Sequence, residues 1–92
     1  MITFEEALGI ANDHLRKSAM PLVISYSEEF LDGWLFCFDS KEYVETGNFS
    51  AQLAGNGPLL IDKDTGALHI LGTARPPREY LDEYSQRKQR KT

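Results

Sequence analysis

Cysteine is almost absent from this 92-residue chain: Cys37 stands alone, so no internal disulfide can form, and such sparing use fits a reducing compartment. No apolar run approaches the roughly 18 residues that cross a bilayer, so no membrane-spanning helix is expected. The start, MITFEEALGI, carries acidic residues where a signal peptide would carry positive charge, and a cytoplasmic location is expected. Zinc-ligand spacing is also missing, because Cys37, His14 and His69 fall on three separate segments. The phosphate-cradling pattern G-x-x-x-x-G-K-[ST] occurs nowhere. Neither a metal nor a cofactor is expected.

What is present suits one small soluble domain. The 41% hydrophobic and 26% charged residues are ordinary for a globular protein. A chain of this size buries roughly 60–65% of its unfolded surface, enough for one core. The net charge of −4 hides an asymmetry: residues 1–86 hold six basic against 14 acidic groups, a balance of −8. Arg87, Lys88, Arg90 and Lys91 then crowd the end. An acidic body repels nucleic acid and anionic membranes and attracts basic partners. The division expected is a domain over 1–84 and a basic tail over 85–92, read as a solvated helix end.

Periodicity predicts the elements. Thr3 and Glu6 have the spacing of a capping box, in which each side chain accepts a hydrogen bond from the other's backbone N–H. Phe4, Ala7, Leu8, Ala11 and Leu15 follow at helical spacing, predicting a helix over about 4–18. PLVISYS reads as a strand, Asp32-Gly33 as a turn, and GWLFCFDS as the returning strand. Strict alternation would set Trp34, Phe36 and Phe38 on the core face and Leu35, Cys37 and Asp39 opposite. Glu42 to Glu45 reads as a strand extension or edge strand, broken at Gly47. Residues 58–71 form a second hairpin around the turn chemistry of DKDTG. Pro77 suits the first turn of a final helix, with Tyr80, Leu81 and Tyr84 on its apolar face. The fold class is α+β: an N-terminal helix, an antiparallel sheet of about four strands built from two hairpins, and a C-terminal helix, in two layers.

LAGNGPLLIDKDTG, residues 53–66, is the segment that most resembles a ligand loop. Gly55-Asn56-Gly57 supplies only G-x-G and opens a proline-led strand, whereas a phosphate loop opens a helix. Asp62 and Asp64 match the first two ligand positions of an EF-hand. The fifth is Gly66, the sixth Ala67, and the twelfth Thr73 in place of a bidentate Glu. Two turns flanking a strand is the reading that remains. Cys37 lies mid-strand with no helix N-terminus or local base to activate it, so it is expected to be a half-buried packing residue. The aromatics of GWLFCFDS lack the interleaved Arg or Lys of a nucleic-acid platform, and read as core. No catalytic residue is expected.

GWLFCFDSKEYVETG, LAGNGPLLIDKDTG and LHILGTARPPREYLDEY together resemble the YrhB-type family, also called the immunity protein 35 family. The resemblance spans about residues 2–84 and does not extend to the basic tail. It implies a small cytoplasmic α+β protein, without catalytic residues, that binds and neutralises a cognate polymorphic toxin by occlusion. A heat-stable, chaperone-like role toward unfolded clients is the alternative it carries. A body of −8 suits a basic toxin, since opposite fields speed encounter. Tyr43, Glu45, Asn48, Gln52 and Asn56, on the loop-rich middle, are the expected partner-binding residues. Trp34, Gly55, Pro58, Gly66 and Gly72 are assigned to the fold.

Overall fold

A computed structural model describes residues 1–48, 50 and 57–90, with Arg90 by its backbone alone. Helix α1 spans Phe4–Leu15 and begins with the capping box: Thr3 N–H donates to Glu6 Oε1 at 3.0 Å and Glu6 N–H to Thr3 Oγ1 at 3.1 Å. Its buried stripe is Ala7, Ala11 and Leu15, two of them small enough to bring the helix close to the sheet. The helix ends earlier than its charge pattern suggests. The amides of Lys17 and Ser18 bond to the carbonyls of His14 and Leu15, which tightens the chain into a turn.

Four strands follow in a meander: β1 (Leu22–Phe30), β2 (Gly33–Ser40), β3 (Leu59–Asp62) and β4 (Leu68–Ile70), antiparallel and side by side in chain order. A bulge interrupts β1, where Ile24 pairs with Phe38 but Tyr26 with Cys37. The extra residue reverses the faces. Leu22 and Ile24 share a face with Phe38, whereas Tyr26, Glu28 and Phe30 share the opposite face with Cys37 and Leu35. Uninterrupted alternation would have put all five on one side.

Between β2 and β3 the chain forms α2, Lys41–Thr46, and not the strand extension expected there. Ser40 is its N-cap, with Oγ accepting from Tyr43 N–H at 3.0 Å. Gly47 closes it at φ +71°, a left-handed conformation that favours glycine, and donates to the Tyr43 carbonyl at 2.8 Å. No residue of this six-residue helix is buried, so an apolar stripe was never there to reveal it.

Helix α3, Pro77–Arg90, lies on the sheet face opposite α1, which makes three layers where two were expected. Trp34, Phe36, Leu59 and Ile61 pack with Ala7, Ala11 and Leu15 of α1. Leu35 and Leu60 pack with Leu81 of α3, flanked by Phe30, Cys37, Leu71 and Tyr84. Leu35, in the role of an outward-facing residue, is therefore buried as completely as its neighbours.

Candidate functional site

The densest polar cluster joins β3 to α3. Asp62 ends β3 opposite Gly33, on the α3 face, and is buried. Its Oδ1 accepts from the backbone N–H of Asp64 at 2.7 Å and of Thr65 at 3.0 Å, which shapes the turn into β4. Tyr84 and Lys88, four apart on one face of α3, reach the same carboxylate. The Tyr84 hydroxyl donates to Oδ2, and Lys88 Nζ donates to Oδ1 at 3.0 Å and Oδ2 at 2.9 Å. Lys88 also pairs with Asp64 at 2.8 Å and lies 3.9 Å from Asp32 Oδ1. The other carboxylate oxygen of Asp32 is buried and has no hydrogen-bond partner among the described residues. Asp64 and Lys88 both belong to this network.

The electrostatics follow from that geometry. Burial acts to raise the Asp62 pKa, but the bonds from Tyr84 and Lys88, with the two turn amides, outweigh it and hold the carboxyl well below the usual range. Burial and the bond to Asp62 push Tyr84 up to about 12. Burial opposes the charge on Lys88, yet Asp64 and Asp62 together raise its pKa. At neutral pH Tyr84 therefore keeps its proton and acts as a donor, the reverse of what a general base requires. His69 is exposed, with its ring 5.3 Å from that of Tyr84. Cys37 is half-buried on the α3 face, where burial and then Glu28 push its thiol up, away from the reactive thiolate. Asp62, Tyr84 and Lys88 thus tie α3 to the end of β3.

Sequence reasoning did not bring Asp62, Tyr84 and Lys88 together. Its available signal was the Tyr84–Lys88 spacing on one helix face, after a Pro-led start.

Of the expected partner residues, Tyr43, Glu45 and Asn48 fall on or just after α2. Glu45 and Asn48 line one shallow groove with Met20, Pro21, Lys41 and Glu42. Asn48 is held there, donating to Glu42 Oε1 at 3.4 Å and accepting from Ser50 N–H at 3.1 Å. Tyr43 is half-buried and outside that groove. Gln52, Asn56 and the fold-assigned Gly55 lie outside the described residues.

The fold is an α/β/α sandwich whose densest polar network ties α3 to the end of β3. No helix among the described residues is long and apolar enough to cross a membrane. The chain belongs to the immunity protein 35 family, whose model matches residues 5–86. It is 48% identical over 88 residues to the "Uncharacterized protein YrhB" of Escherichia coli (strain K12), covering 96% of this chain and 94% of that one. No solved structure matches it.

Proposed function

We propose that this protein is a non-enzymatic, cytoplasmic immunity protein that binds a cognate bacterial toxin and blocks it by occlusion. Family membership over residues 5–86 carries the reading. The charge balance supports it and points to a basic toxin, because an acidic scaffold steers a basic partner into contact. Occlusion needs an interface of about 1,200–2,000 Å² in total. Tyr43, Glu45, Asn48, Gln52 and Asn56 are the proposed contacts, the first three of them at the α2 end of the molecule. The test is co-expression with the toxin encoded beside its gene. Cells are expected to survive; death as rapid with the protein as without it ends this reading.

A holdase role toward unfolded clients has weaker support. Such activity needs a contiguous apolar patch larger than the few hundred Å² normal on monomers. Among the described residues the exposed large apolar side chains are Met1, Phe4, Met20, Tyr26, Leu31, Val44 and Ile70, spread over α1, β1, α2, β4 and the segments beside them. Light scattering from a heat-stressed client decides the matter, and no suppression of aggregation is expected at stoichiometric amounts.

A further inference from the structure

Strand β1 is one edge of the sheet, nine residues long, and no backbone group among the described residues bonds its outer side. The phase of the ladder follows from its ends. Lys63 N–H bonds the Asp32 carbonyl at 2.8 Å, and Lys41 N–H bonds the Pro21 carbonyl at 3.0 Å. Counting along the register, Tyr26, Glu28 and Phe30 exchange bonds with β2, so Ser27 and Glu29 direct their N–H and C=O groups outward. A long edge with free groups is a template for another strand.

The surroundings specify what kind. On the α3 side the edge overlooks a groove of about 410 Å³, lined in part by Glu28, Leu31, Leu81 and Asp82. Leu31 is 70% exposed beside it. Asp82 has no ion-pair partner among the described residues, and Arg78 approaches Glu28 no closer than 3.9 Å. On the other face Glu29 is exposed and, among the described residues, pairs with Lys63 at 2.8 Å. Carboxylates therefore outnumber cations along the edge. A second copy would bring the same carboxylates and the same acidic body, so like-charge repulsion opposes self-pairing.

We propose that an extended, basic segment of a partner protein adds to β1 as a fifth strand, with an apolar side chain on Leu31 and Leu81 and basic ones toward Glu28 and Asp82. The proposal rests on the reading above that the protein acts by binding another protein. Met20 and Pro21, which line the α2 groove, lead directly into β1, so a strand along this edge connects the two patches.

Titration of the full ¹⁵N-labelled chain tests it, using a nine-residue peptide matched to the length of β1, in which lysine and valine take turns at the odd positions, which share one face, and serine fills the others. A glutamate–valine peptide is the control. The lysine peptide is expected to shift the amides of residues 25–30, and the control to leave them still. Glu28→Lys with Asp82→Lys should weaken binding about tenfold. Ser27→Pro removes only an outward N–H, so it should keep the β1–β2 ladder and abolish binding. If Ser27→Pro disturbs the sheet, the charge-reversed variant decides. Absence of binding, shifts confined to β4 or α2, unchanged affinity in both variants, or a dimer of the chain alone that Ser27→Pro dissociates would each overturn the proposal. Toxin protection undiminished by a folded Ser27→Pro variant overturns this surface and leaves the immunity reading intact. Binding at β1 without protection by the wild type overturns the immunity reading alone.

Discussion

Lys88 Nζ lies within 3.0 Å of both carboxylate oxygens of Asp62, a residue 26 positions earlier in the chain. That bond pins the last turns of α3 to the end of β3. The Asp62 side chain is 3% exposed and that of Lys88 26%, so the carboxylate has little access to water if its partner is removed. Lys88→Met should destabilise the protein by about 1–3 kcal/mol, the usual cost of an incompletely satisfied buried group. Chemical denaturation measures it. A double-mutant cycle with Asp62→Asn should give a coupling energy of similar size; additive losses would show that the pair is not coupled.

Acid and alkali should act on this network from opposite sides. Asp62 has a folded pKa below its ordinary value of about 3.9, so its contribution is complete above that value. It is lost as pH falls toward the folded pKa, because the unfolded chain takes up the proton first. Tyr84 is shifted upward, so its contribution is complete below about pH 10 and fades as pH rises toward about 12. The raised pKa of Lys88 has the same sign, with loss above its ordinary value. Thermal melts across pH should show Asp62→Asn flattening the acid limb and Tyr84→Phe flattening the alkaline limb. An unchanged acid limb in Asp62→Asn would assign acid sensitivity elsewhere.

Gly33 should be the least replaceable residue of the first hairpin. A Cβ built there would stand 2.0 Å from the Ile61 carbonyl oxygen, which belongs to the backbone of β3 and has no rotamer to escape into. Gly33→Ala is expected to cost about 1–3 kcal/mol or more, as overpacking does in a filled core. A melting temperature within error of the wild type would show that β2 and β3 part easily at this end.

The two cores should differ in how they open. Among the described residues the α1 layer buries the apolar side chains of Ala7, Ala11, Leu15, Trp34, Phe36, Leu59 and Ile61, whereas the α3 layer buries those of Leu35, Leu60 and Leu81. Leu81→Ala should cost about 2–5 kcal/mol of local stability and let α3 detach before the sheet melts. Hydrogen exchange would then quicken in residues 77–90 and stay slow in β2 and β3. Equal acceleration in all three elements would indicate a single cooperative unit.

Local signals made α1 legible, because its capping box and its stripe act within a few residues of one another. Both hairpins were legible for the same reason, as was the proline-led start of α3. The α2 segment was misread although Ser40 and Gly47, its two caps, were in plain view. Its six residues bury nothing, so the β propensity of Tyr43 and Val44 outweighed the cap signals. The bulge before Tyr26 left no sequence mark either, since its effect depends on the pairing with Cys37.

By itself the sequence determined the α+β class, the acidic balance, the order of the elements apart from α2 and, through its motifs, the family. These rest on local spacing or on composition, which survive without tertiary contacts. Tertiary structure alone decided that both faces of the sheet are covered. Leu35 alternates correctly for a solvent-facing residue and is buried only because Leu81 arrives from a helix far along the chain. It also decided that Asp62 is an anchor for Lys88. The spacing of Asp62 and Asp64 already reads as a turn in the sequence, and only the helix laid across them supplies the cation that ties this turn to α3.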